Sequence, residues 1–184
     1  MKTKQFKIRA LRLALTTTLA TGAIIYGTES RAAADTNTLQ ISAEILETCD
    51  ITTTPVTFGE YDPVVLHNTT NLDNTAGQIT VLCSAGTVAT ILLDDGANQA
   101  AGSTAAVPLR QMIAGAGQFL SYNLYKDSVG GTVWGGDVST GLATTTAFTG
   151  ANSQVMTVFA SIPAGQVAAP VGNYTDTVTV TASY

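Results

Sequence analysis

The chain of 184 residues has one histidine, one tryptophan, two cysteines and only 11% charged residues. Basic residues are scarcer still beyond the N-terminus. Past residue 34 only Arg110 and Lys126 remain, against twelve acidic residues, so that part carries a net charge of −10. A surface so poor in Lys and Arg cannot replace the counterions of a phosphate backbone or hold anionic lipid head groups, which excludes nucleic-acid binding. His67 with Cys49 and Cys83 falls short of a structural zinc set. His67 is also the sole possible base for a Ser-His hydrolase, and no Gly-x-Ser-x-Gly elbow accompanies it. Asp94 and Asp95 are adjacent, so on a strand they would face opposite ways and could not pair as glycosidase carboxylates. Gly130-Gly131 and Gly135-Gly136 do not follow a strand and open a helix, so a phosphate cradle has no support. No catalytic, cofactor-binding or metal-ligating residue is assigned, and the expectation is a protein that is not an enzyme.

What is present begins with a basic stretch, Met1 to Arg12, followed by the apolar run Leu13 to Tyr26 and the small residues Ala32-Ala33-Ala34. This order predicts a secretory signal peptide over residues 1–34. The apolar run is diluted by threonine and shorter than the roughly 20 residues that cross a bilayer, and no later run is longer, so the mature chain is expected to be exported without a membrane span. Export gives the two cysteines a meaning. They are the only pair available in a compartment that is usually oxidising, and a Cys49–Cys83 disulfide is expected, with two buried free thiols as the alternative.

The 45% hydrophobic content is enough for one filled core. Apolar residues recur mainly at spacing two, and threonine, valine and glycine are abundant, which favours strands over helices. The clearest case is the C-terminus. Tyr174, Val178, Val180, Ala182 and Tyr184 share one face, with Asp176 as its one polar breach, while Thr175, Thr177, Thr179, Thr181 and Ser183 take the other. Further strands are expected at Ile51–Phe58, Gly77–Ser84, Thr87–Asp94, Val107–Ala114, Phe119–Lys126 and Gln154–Ile162. Asp94-Asp95-Gly96 should turn the chain, the loop Ala97–Ala106 should be mobile, and Trp134 should cover a sheet edge. This spacing of strands and turns predicts an all-β, immunoglobulin-like antiparallel β-sandwich, with a closed barrel as the alternative. The segment Thr38–Leu46 also alternates, with Leu39, Ile41, Ala43 and Ile45 on one face. Its residues leave open whether it pairs within its own domain or in a groove elsewhere.

Several landmarks then fall in order: Cys49, Val56-Thr-Phe58-Gly59-Glu-Tyr61-Asp62, Gly77-Gln-Ile-Thr-Val-Leu-Cys83, Leu120-Ser-Tyr122-Asn-Leu124-Tyr125, Trp134-Gly135 and Gly172-Asn-Tyr174-Thr-Asp176-Thr-Val178-Thr-Val180. Together they resemble the spore coat protein U-like family, which includes the archaic (Csu-type) chaperone–usher pilins, and the resemblance covers nearly all of residues 38–184. It implies a sandwich that lacks its last strand and is completed by donor-strand exchange. Residues 35–47 would be the donor segment, presenting Leu39, Ile41, Ala43 and Ile45, and residues 48–184 the pilin domain. The acceptor groove would be lined by Tyr174, Val178, Val180, Ala182 and Tyr184. The implied partners are a periplasmic chaperone, an outer-membrane usher and other pilin subunits, in a homopolymeric fimbria at the cell surface that serves cell adhesion and biofilm formation. A single domain behind a donor segment resembles a shaft or adaptor subunit rather than a two-domain tip adhesin. One departure is that the terminal aromatic, Tyr184, is the last residue, where other chaperone–usher pilins carry theirs at the penultimate position. Two alternatives stand beside this reading: a secreted spore-coat-type structural protein, and a carbohydrate-binding module that stacks sugars on Trp134 and Tyr125.

Overall fold

The computed structural model describes residues 33–115, 117–143, 147–150 and 152–184, so the expected signal peptide falls almost wholly outside the described residues. Contacts divide the chain into a unit ending at Ser42 and a unit from Ala43 to Tyr184. In the first, residues 33–42 are exposed and form no strand. The second is all β, with no helix among the described residues.

Nine strands follow one another: β1 (Cys49–Thr54), β2 (Leu72–Cys83), β3 (Thr90–Leu93), β4 (Gln111–Ile113), β5 (Phe119–Ser121), β6 (Asn123–Tyr125), β7 (Leu142–Ala143), β8 (Gln154–Ile162) and β9 (Val180–Ser183). They form a four-stranded sheet in the order β1-β2-β8-β6, a three-stranded sheet in the order β7-β3-β9 and a β4–β5 pair. Every pairing is antiparallel. A seven-stranded immunoglobulin-like sandwich sets its first, second, fifth and fourth strands in one sheet and its third, sixth and seventh in the other. The same order is present here through β9, and no described strand lies beyond β9. The fold is an immunoglobulin-like β-sandwich in which, among the described residues, no strand pairs with the outer edge of β9.

Local chemistry explains where the strands depart from the alternation pattern. The first ends at Thr54 instead of Phe58 because Pro55 has no N–H to donate to the ladder. The stretch expected as one strand from Phe119 to Lys126 is split at Tyr122, whose N–H donates to the Arg110 carbonyl at 3.1 Å. β5 on one side of this residue pairs with β4, and β6 on the other pairs with β8. β2 begins at Leu72, earlier than Gly77, by passing through a bulge between Asn74 and Gly77. A Cβ on Gly77 would collide with a Val56 methyl and press on Val158, so the close approach of the chains favours glycine there. The C-terminal stretch pairs as a ladder only over β9. Before it, Thr179 and Thr177 accept hydrogen bonds from Asp94 and Ala97, and Thr175 exchanges a pair with Ile113.

The core lies between the sheets, with Ile79 and Val81 of β2, Ile91 and Leu93 of β3, and Met156, Val158, Ala160 and Ile162 of β8 all buried. Trp134 is fully buried, and its Nε1–H donates to the Ile91 carbonyl at 2.8 Å. Tyr125 is buried as well. Neither ring is open to a sugar, which removes the stacking platform that the sequence left as an alternative. Beside Trp134 lies Arg110, 1% exposed, whose Nη2 donates to the carbonyls of Leu93 and Trp134 and whose Nε donates to that of Asp94. Burial pushes its pKa down, while Tyr122, Asp94, Asp95 and Asp176 act in the opposite direction. The loop Ala97–Ala106, expected to be mobile, is instead tied by backbone bonds from Ala97 to Thr177, from Ala100 to Leu109 and between Thr104 and Val107.

Candidate functional site: an open groove beside the C-terminal strand

Where the next strand of the sandwich would lie, the structure has a groove of about 960 Å³. One wall is the C-terminal stretch, contributing Tyr174, Asp176, Val178 and Val180. The facing wall is the chain from Thr53 to Val64, and the floor is the core itself, reached at Ile79, Leu93, Leu124, Val158 and Ile162. The apolar lining follows from alternation, because every second residue of an extended chain points to the same face.

The wall opposite β9 has little regular structure and is held by side chains. Tyr61 donates its hydroxyl to the Pro163 carbonyl at 2.7 Å and stacks on His67 with ring centres 5.1 Å apart. His67 Nδ1 accepts the Asp62 N–H at 3.0 Å. The Asp62 carboxylate accepts the N–H groups of Val64 and Val65, each at 3.0 Å, and these bonds lower its pKa. Gln166 bridges both backbone groups of Ser121, at 2.8 and 2.9 Å.

The breach at Asp176 is a built polar spot. Its Oδ2 accepts the Tyr122 hydroxyl at 2.7 Å and its Oδ1 accepts an Asn98 Nδ2–H at 2.8 Å. Burial, then the hydrogen bond and charge of Asp176, push the Tyr122 pKa up, so the phenol stays a donor. Gly96, at φ +82°, closes the turn after Asp94 with its N–H on the Asp94 carboxylate at 3.0 Å, and a Cβ there would strike the Asp176 carboxylate. Phe58 meets the Tyr122 ring edge-on at 6.4 Å.

Of the residues expected in an acceptor groove, Tyr174, Val178 and Val180 line the groove described here. Ala182 is half-buried against the core beyond the groove, and Tyr184 is 57% exposed. The expected donor residues Leu39, Ile41 and Ile45 are 86–89% exposed, and Ala43 is exposed too. Cys49 and Cys83 form a disulfide where β1 meets β2, at the first pair of their ladder. Sequence reasoning did not foresee the part played by Arg110, Tyr122 and Asn98, nor the long wall from Thr53 to Val64. The signal for Arg110 was available, since it is one of only two cations past residue 34 and the only arginine there. Among the described residues no group of three or more His, Cys, Asp or Glu could hold a metal ion. No helix among them is long and apolar enough to cross a membrane.

The fold and the groove together define an all-β domain with one strand position open at the edge of its second sheet. Residues 35–181 match the Spore Coat Protein U domain. A curated relative, "Protein U" of Myxococcus xanthus, is 34% identical over 184 residues, covering 96% of this chain and all of the relative. The chain belongs to the Spore Coat Protein U domain family, whose members are structural and not enzymatic. Among solved structures, the fold is similar to a chain in the CsuC–CsuE chaperone–tip adhesion subunit pre-assembly complex from archaic chaperone–usher Csu pili of Acinetobacter baumannii. The TM-score is 0.52 and the identity 22%, over 76% of this chain. This chain spans 40% of that one's length.

Proposed function

We propose that this protein is a structural pilus subunit, a shaft or adaptor pilin, exported through the periplasm and assembled by a chaperone–usher pathway. Residues 35–47 of one copy fill the groove of the next, after a periplasmic chaperone has held that groove and an outer-membrane usher has exchanged the two. The product is a surface fibre of like subunits that serves attachment and biofilm formation. One observation carries the reading: the same chain has a groove open to its core beside β9 and an exposed segment whose apolar residues alternate at strand spacing. β-Strand addition joins two such parts through main-chain bonds along the edge and side chains in alternate pockets. Each Ile or Leu so buried contributes roughly 1.5–3 kcal/mol.

The test is Ile41→Asp in the full chain. A charge in an apolar groove is costly, so assembly should stop while chaperone co-purification persists, because the chaperone occupies the groove and not the donor. A normal polymer ladder in unheated denaturing gels of surface extract would refute donation by this segment. Loss of chaperone binding would place the segment within its own domain. A second reading, a secreted spore-coat-type structural protein, is favoured by the full-length match to Protein U. Electron microscopy separates the two, since fibres that vanish with the gene belong only to the pilin.

A further inference from the structure

The groove has a polar spot that an apolar strand would have to accommodate, and this fixes how such a strand can lie. Side chains at alternate positions Tyr174, Asp176, Val178 and Val180 face the groove, whereas Ala182 lies beyond it. The donor segment presents its apolar side chains at the same spacing, Leu39, Ile41, Ala43 and Ile45, with one small residue among three large ones. Every strand pair in the sandwich is antiparallel, and in such pairs residues directly opposite place their side chains on the same face. Three antiparallel registers then keep the donor's apolar face toward the core. With Leu39 opposite Ala182, Ile45 falls on Asp176 and the first pair lies outside the groove. With Leu39 opposite Val178, Ile41 falls on Asp176 and Ile45 runs past Tyr174 to Gly172. With Leu39 opposite Val180, the four donor residues meet the four groove residues and Ala43 falls on Asp176.

We infer that the third register is the one used: the N-terminal segment of a second copy enters antiparallel to β9, with Leu39 opposite Val180 and Ala43 opposite Asp176. This rests on the donor reading above. The Asp176 carboxylate already accepts from Tyr122 and Asn98, and an isoleucine pressed over it would strip the water from its remaining lone pairs. Alanine leaves that space, so Asp176 acts as a notch that admits one register and rejects a slip of two residues in either direction. A slip by one residue is rejected on separate grounds, because it turns the donor's polar face into the core.

Cysteine pairs in the full chain test the register, because only side chains directly opposite come within disulfide reach and diagonal neighbours do not. Leu39→Cys with Val180→Cys should give a polymer ladder that survives boiling without reductant and collapses with it. Pairing Leu39→Cys with Val178→Cys or with Ala182→Cys should give no such ladder. A covalent ladder at either of those positions overturns the register and leaves donation standing, whereas a covalent monomer shows the segment in its own groove and overturns both. A second series does not depend on engineered cysteines. Ala43→Ser should polymerise like the parent, and Ala43→Ile should lose at least about fivefold in polymer from overpacking at the notch. Parental polymer yield from Ala43→Ile overturns the inference, even if Ile41→Asp blocks assembly as donation requires.

Discussion

β8 and the C-terminal strand carry the same kind of sequence and meet different fates. In β8 the inward residues Met156, Val158, Ala160 and Ile162 are 8% exposed or less, with β2 on one side and β6 on the other. Along the C-terminal stretch Val178, Val180 and Ala182 point inward too, yet all three are only half-buried, because β3 flanks one edge and nothing described flanks the other. Alternation reports which face a strand would bury, while the neighbours decide how much of it is buried. The difference between the two strands measures what a second flanking strand contributes.

The largest effect should come on the closed side. Trp134→Ala removes a fully buried indole and its bond to Ile91, and should lower the stability of the isolated chain by about 3–5 kcal/mol. Val180→Ala on the open side removes two half-buried methyl groups and should cost roughly 1 kcal/mol or less in the isolated chain. Urea titration of both variants checks the contrast, and equal losses would mean that the groove wall is already as well packed as the core. The contrast sharpens on assembly, where Val180→Ala should weaken the polymer more than it weakens the subunit.

Next comes the staple at the far edge of the first sheet. Cys83→Ser opens the disulfide and should cost about 2–5 kcal/mol, with a marked fall in exported material. Two reactive thiols per native parent chain, labelled without reductant, would contradict the bond. The smallest effect belongs to the groove's irregular wall. The Asp62 carboxylate, lowered by its bonds to Val65 and Val64, adds stability that is present above the ordinary carboxylate range and lost as pH falls through its lowered value. Asp62→Asn should therefore lower the melting midpoint slightly at pH 7 and hardly at all near pH 2. An equal shift at both pH values would show that the carboxylate charge does not hold this turn.

Legibility from sequence followed the same divide. β8 was read to the residue, since nine residues of alternation with partners on both sides leave pattern and ladder in agreement. The C-terminal face was read correctly in direction, but its ladder is confined to β9, because the preceding residues bond to the loop after β3 and, through the single bridge of Thr175 to Ile113, to the end of β4. The wall from Thr53 to Val64 was invisible in outline. Its order comes from long-range side-chain bonds, such as Tyr61 to Pro163, which leave no periodic trace. Asp176 stood out as a breach, yet its partners Tyr122 and Asn98 come from distant parts of the chain and could not be named in advance.

The place of the disulfide also has a mechanical meaning. Ser84 donates its hydroxyl to the Leu46 carbonyl at 2.9 Å and accepts the Thr48 N–H at 3.0 Å, so the chain is tied down immediately before Cys49, the first residue of β1. In a fibre joined by the segment ahead of that point, tension would arrive at the very end of β1, where hydrogen bonds could be peeled one pair at a time. The Cys49–Cys83 bond stands at the first pair and blocks that peeling. Force passes instead through a covalent link into β2, which is paired on both sides and is the longest strand of the sandwich. In such a fibre, a pulled subunit with the bond intact would have to shear its ladder as a whole, and with the bond reduced it would unzip from its end.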